Sequence, residues 1–193
     1  MKRVGSVFLV IIIISNLLLN VCAIGYADVS NYEWYSESVE YVTDAQLMCG
    51  VGNNLFDPEG ITTRSMVVTV LWRHAGEPLR PESNSGVAYE WDEFALLWGH
   101  FTKIVEGYTV IPDQSSGVED MPEQALAPDF RGENPVTREE LACFLYRYAK
   151  YAGADVSETA SLEGFADAAS VSDWAEEALG WCVAEGILQG TPE

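Results

Sequence analysis

Apolar residues recur along this chain at helical spacing. Tyr35, Val39 and Val42 fall at i, i+4 and i+7, and Ala175, Leu179 and Cys182 repeat that stripe near the other end. The stripes belong to a longer recurring pattern. Trp34, Trp91 and Trp174 each open a segment in which Val39, Leu96 and Leu179 follow five residues on. Tyr41, Trp98 and Trp181 come two residues after those, and each segment ends in an apolar pair, Leu47-Met48, Ile104-Val105 or Ile187-Leu188. Sixteen residues after the tryptophan comes a glycine: Gly50, Gly107 or Gly190. Agreement at so many offsets identifies three copies of one unit.

A second landmark follows the first two glycines. Phe56 leads to Thr63-Arg64 and an apolar run, and Phe130 leads at the same offset to Thr137-Arg138 and another. Thr137-x-x-Glu140 is a capping box for a helix start, whereas copy one has Met66 in place of the glutamate. Asp173-x-x-Glu176 resembles a capping box for copy three, and the closing glycines suit left-handed helix caps. Each unit therefore reads as helix, loop, helix. The expected layout is repeat 1 over 28–79, a linker over 80–86, and repeat 2 over 87–153 with a loop insertion at 108–129. A second linker over 154–161 leads into repeat 3 over 162–193, which stops before a second helix. Two helices bury little on their own, so the copies are expected to pack as one all-α core. The first helix of copy three, short of its own second helix, is expected to expose an apolar face and either to fray or to drive self-association.

The first 27 residues look like an export signal: Lys2-Arg3, an apolar run over 7–19, and a cut after Ala23 or Ala27. The run is short for a membrane span, which needs roughly 20 apolar residues. Copy three begins Phe165-Ala166-Asp167 and copy one Tyr26-Ala27-Asp28, which favours the cut that keeps Tyr26.

Charge then narrows the partners. The net charge is −20, with 10 Lys plus Arg against 30 Asp plus Glu, and loss of Lys2 and Arg3 with the leader makes the chain more acidic still. A nucleic-acid backbone needs clustered cations, so nucleic acid is excluded as a partner. Two histidines and four cysteines without a CxxC pair leave no material for a zinc site, and no cofactor motif is present. Without Cys22, the remaining Cys49, Cys143 and Cys182 read as small buried hydrophobes. Glu139-Glu140 and Glu176-Glu177 carry no catalytic signal beyond helix-surface charge, and nothing else points to an enzyme.

The ordered motifs resemble the S-layer homology family, modules that hold exported proteins on bacterial cell walls. The resemblance rests on Ala27-Asp28-Val29 before Trp34-Tyr35, on Phe56-Asp57-Pro58 leading to Ile61-Thr62-Thr63-Arg64, and on Val136-Thr137-Arg138-Glu139-Glu140-Leu141. Phe165-Ala166-Asp167, Trp174-Ala175 and the stretch ending Ile187-Leu188-Gln189-Gly190 complete it. It implies a pseudo-three-fold spindle, here incomplete, whose grooves bind secondary cell-wall polysaccharide, often pyruvylated and so acidic. It also implies that Arg64 and Arg138, with Thr63 and Thr137 of the same signature, contact the glycan. Gly50, Gly107, Gly190, Asp28, Asp167, Trp34, Trp91 and Trp174 fall at positions at or near the groove. The chain departs from the pattern at Ser65-Met66, at the missing Asp-Val lead-in of copy two, and at the absent third arginine.

Elementary electrostatics points the same way for the arginines. The first turn of a helix is a poor place for a cation but a good one for an anion, since free N–H groups point outward there. A guanidinium added at that spot makes a carboxylate site, unless it pairs with a carboxylate of a neighbouring unit. Trp72, Trp98 and Trp181 lie on helical stripes and read as core. Trp34, Trp91 and Trp174 suit either sugar stacking or packing, with packing slightly favoured. The expected function is a non-catalytic module anchored to the cell surface. The alternative is a structural or protein–protein interaction repeat whose grooves are inactive.

Overall fold

A computed structural model of the chain describes residues 25–79, 90–105 and 130–190. The leader over 1–24, most of the first linker, the loop insertion, Gly107 and the last three residues lie outside the described residues. The described residues form five α-helices and no strand: α1 (Ser36–Asp44), α2 (Arg64–His74), α3 (Glu93–Phe101), α4 (Arg138–Tyr151) and α5 (Glu176–Ala184). A short 3-10 helix (Ala168–Ser170) precedes α5. The chain divides into two compact units at Gly60, between the two helices of repeat 1.

Helix starts differ as the sequence suggests for two of the five. The Thr63 hydroxyl accepts the Met66 N–H at the start of α2. At α4 the box is complete, with the Thr137 hydroxyl accepting the Glu140 N–H and the Glu140 carboxylate accepting the Thr137 N–H. The expected box at Asp173 does not form. The chain is in a turn there, α5 begins only at Glu176, and its cap residue Ala175 has no side chain to offer.

Helix ends correct a second expectation. The left-handed residues just past α1, α3 and α5 are Gln46, Lys103 and Gly186, at φ 57°, 59° and 69°. These stand twelve residues after each tryptophan, four before the closing glycines, and the next amides fold back on the last turn, as Leu47 N–H does on the Val42 carbonyl. The helices are therefore shorter than the repeat, and the glycines serve another purpose.

The first unit holds α1 against the chain that flanks it. Tyr26 is buried, its ring 5.2 Å from that of Phe56 and its hydroxyl 3.4 Å from Thr43 Oγ1. Asp28 accepts the Phe56 and Asp57 amides at 2.9 and 2.7 Å, which joins the lead-in to the loop after Gly50. The second unit is arranged around α4. Phe144 packs into one apolar cluster with Val68, Leu71 and Trp72 of α2 and Trp98 of α3. Ala142, Cys143 and Tyr146 pack into another with Ala178, Trp181 and Cys182 of α5. The apolar face of α5 thus finds its partner in the helix of the preceding copy, so the exposed stripe expected for copy three is largely covered.

Trp72, Trp98 and Trp181 are buried, in keeping with their stripes. Trp34, Trp91 and Trp174 are exposed by 89%, 50% and 58%, which removes the packing role favoured for them. Each stands in the turn just ahead of its helix, outside the register that faces the core. Cys143 and Cys182 are buried and form no disulfide. Cys49 lies on the surface beside Gly50, against its reading as a buried thiol.

Candidate functional site

The two arginines of the Thr-Arg pairs begin equivalent helices but occupy opposite environments. Arg64 is 3% exposed. Its guanidinium forms an ion pair with Glu140, its Nε donates to the Phe130 carbonyl at 3.2 Å, and its carbon lies 4.7 Å from the Phe130 ring centre. The loop that leads into α4 makes this enclosure. Arg64 N–H donates to Asn134 O, Ser65 N–H to Gly132 O and Val136 N–H to Thr62 O, so the two loops before α2 and α4 run antiparallel. Glu140 then serves both helices at once, one oxygen on Arg64 and the other on the Thr137 amide.

Arg138 is exposed, and its Nη2 donates to the Gln189 carbonyl at 2.9 Å. Among the described residues it has no carboxylate within ion-pair distance. It lines a groove of about 710 Å³ together with Asp167, Phe165, Leu188 and Gly190. Three residues singled out in the sequence, Arg138, Asp167 and Gly190, therefore meet in one place. The Asp167 carboxylate accepts no hydrogen bond among the described residues, unlike its copy-one counterpart Asp28. Bonding to Phe56 above all, and then to Asp57, holds the Asp28 carboxyl below the usual carboxylate range against the opposing effect of burial.

The closing glycines find their explanation here. Phe165 lies against Gly190, where a Cβ would stand 3.0 Å from Phe165 Cε1. Gly50 has φ +71°, and a Cβ there would stand 2.7 Å from Tyr26 Cε1 and press into the Leu55 carbonyl. Both glycines thus leave room for the aromatic residue of the lead-in. Thr63 and Thr137 are helix caps. Trp174 is exposed but does not line the groove, and Trp34 stacks edge-on with Tyr35 in the first unit.

A family model for the S-layer homology domain matches residues 25–65 and 164–193. Those two stretches are similar to the S-layer homology domain. No curated protein matches it. The two matched stretches hold the lead-in, first helix and glycine of copy one, and the Asp167–Gly190 side of the groove. S-layer homology domains are generally non-catalytic modules that anchor proteins at the cell surface by binding secondary cell-wall polymers. No described helix is long and apolar enough to cross a membrane.

Four residues shape this region through partners that no motif marks. Phe130 and Glu140 enclose Arg64. Glu139, which looks like surface charge in the sequence, accepts both the amide and the hydroxyl of Ser172, at 2.7 and 3.1 Å. The insertion and the long spacing between partners hide these pairings from any local pattern.

Proposed function

We propose that this protein is a cell-wall anchoring module that holds an acidic, pyruvylated secondary cell-wall polysaccharide in the Arg138 groove. Its three copies then form an incomplete pseudo-three-fold spindle. The observation that carries this reading is the contrast between the arginines: Arg64 is consumed by an internal ion pair, while Arg138 stands exposed in a groove with Asp167 and Gly190. A guanidinium with open donors suits a ketal carboxylate, and the apolar side chains beside it suit the face of a sugar ring. Asp167 supplies an acceptor for sugar hydroxyls. Export follows the leader, and the packing of Tyr26 beneath Phe56 supports a cut that leaves Tyr26 in the mature chain.

The test is sedimentation of the purified chain with cell-wall sacculi in three forms: native, stripped of secondary polysaccharide, and stripped of pyruvyl groups only. Binding to the native form alone supports the reading. Equal binding to all three defeats it. Loss only on complete stripping would retain the glycan and remove the pyruvyl group from the proposal.

A further inference from the structure

The geometry points to Glu139 as a positioning residue that sets the width of the Arg138 groove. This rests on the function proposed above for the groove. The two residues that open α4 each hold one wall. Arg138 reaches the Gln189 carbonyl on the 188–190 rim, and Glu139 reaches Ser172 at the end of the opposite wall, which runs from Leu162 through Asp167 to Val171.

That wall is held mainly by its own turns. Phe165 N–H bonds Leu162 O, Ala168 N–H bonds Phe165 O, and Ser170 N–H bonds Asp167 O. Among the described residues, the two bonds from Ser172 to Glu139 are the only hydrogen bonds linking residues 162–172 to a helix of the core. The segment is otherwise mostly exposed, and contributes no residue to either apolar cluster. One carboxylate, accepting the Ser172 amide at 2.7 Å and its hydroxyl at 3.1 Å, therefore ties this segment to α4, beside the packing of Phe165 on Gly190 and the Ser172–Ala175 turn into α5. The amide bond, at 2.7 Å, has the length of the stronger charge-assisted bonds.

The corresponding residue of copy one shows a different solution. Ser65 is fully buried, and its own amide bonds Gly132 O, so the neighbouring loop is drawn directly onto α2 and Arg64 is enclosed. Glu139 instead holds the next loop through its side-chain carboxylate. The difference in reach separates an enclosed arginine from an accessible one.

The experiment compares the full chain with E139A, E139Q, S172A and the E139A/S172A double variant. Two readouts are used: amide exchange over 168–172, and affinity for native sacculi. The glutamine can keep both contacts, because Oε1 accepts the Ser172 amide and Nε2 donates to the Ser172 hydroxyl. E139A is expected to speed exchange of the Ser172 amide about tenfold or more, with α4 beyond its first turn unchanged, and to weaken wall binding by a similar factor. E139Q should recover most of both losses, and the double variant should bind no worse than E139A alone. Unchanged exchange in E139A overturns the clamp, as does an E139Q variant that exchanges as fast as E139A. Faster exchange with unaltered wall affinity overturns the role in groove width. If the unsubstituted chain ignores native walls, the proposed function fails, whereas the exchange comparison still decides whether Glu139 holds the wall.

Discussion

The ring of Phe165 rests against Gly190, with Cε1 and Cδ1 placed 3.0 and 3.2 Å from the point where a Cβ would project. Tyr26 and Gly50 repeat the relationship in the first unit, with less room and a left-handed backbone at the glycine. Two substitutions of the same kind should therefore behave differently. Gly50→Ala meets a backbone carbonyl as well as a ring and is expected to destabilise its unit by at least about 2 kcal/mol. Gly190→Ala meets only the edge of a side chain that can turn aside. Its expected cost is about 1 kcal/mol or less, with Phe165 pushed into the groove and wall binding reduced. Urea denaturation and sacculus sedimentation of the two variants separate the effects.

The arginines should likewise divide between stability and binding. Arg64→Ala leaves Glu140 without its cation and opens space beneath Phe130 and Phe144, so a loss of about 3 kcal/mol is expected in denaturant unfolding. Arg138→Ala removes an exposed side chain with one bond to a carbonyl, and unfolding should shift by about 1 kcal/mol or less while wall binding collapses. A stable Arg64→Ala protein with weakened wall binding would reverse the assignment.

Acidification should loosen the first unit through Asp28. Its carboxyl is held below the usual value in the fold, so its stabilising contribution is present above the unfolded carboxylate pKa of about 4 and is lost as pH falls through the lower folded value. Asp28→Asn should flatten that part of the pH dependence. The readout is amide exchange at Phe56 and Asp57, measured from neutral pH downwards; an identical pH profile in the variant would show that Asp28 is not the group responsible.

Cys182 should resist alkylation at neutral pH. Burial above all, with Cys143 nearby, pushes its thiol up to about 11, and Cys143 shares the same core cluster. Iodoacetamide labelling counted by mass spectrometry should leave both thiols unmodified in the native chain and modify both once it is unfolded.

Much of this architecture is legible from residue order. The landmarks at fixed distances from Trp34, Trp91 and Trp174 mark the helices, and Thr137-x-x-Glu140 marks the start of α4, because those signals depend on neighbours a turn apart. The groove residues Arg138, Asp167 and Gly190 were also visible. The fate of Arg64 was not, since Phe130 and Glu140, 66 and 76 residues further along, decide it. The helix ends are hidden for a local reason: Gln46 and Lys103 adopt a left-handed conformation that glycine more often supplies, and a glycine stands four residues beyond each. The exposure of the three leading tryptophans depends on where each helix begins, and that boundary is the weakest part of any periodicity.

Glu140 touches two copies at once, and this has a consequence for how such a chain can be rearranged. Repeats joined in series are commonly treated as spare parts, to be duplicated, deleted or shuffled without loss. Here the guanidinium of one copy is neutralised by the carboxylate of the next, so the order of these two is locked. A new unit inserted between them, carrying Met or Ser where Glu140 stands, would leave a cation enclosed with no counter-charge. The penalty of several kcal/mol approaches the whole stability of a small domain. Insertion at this junction is closed to such an array.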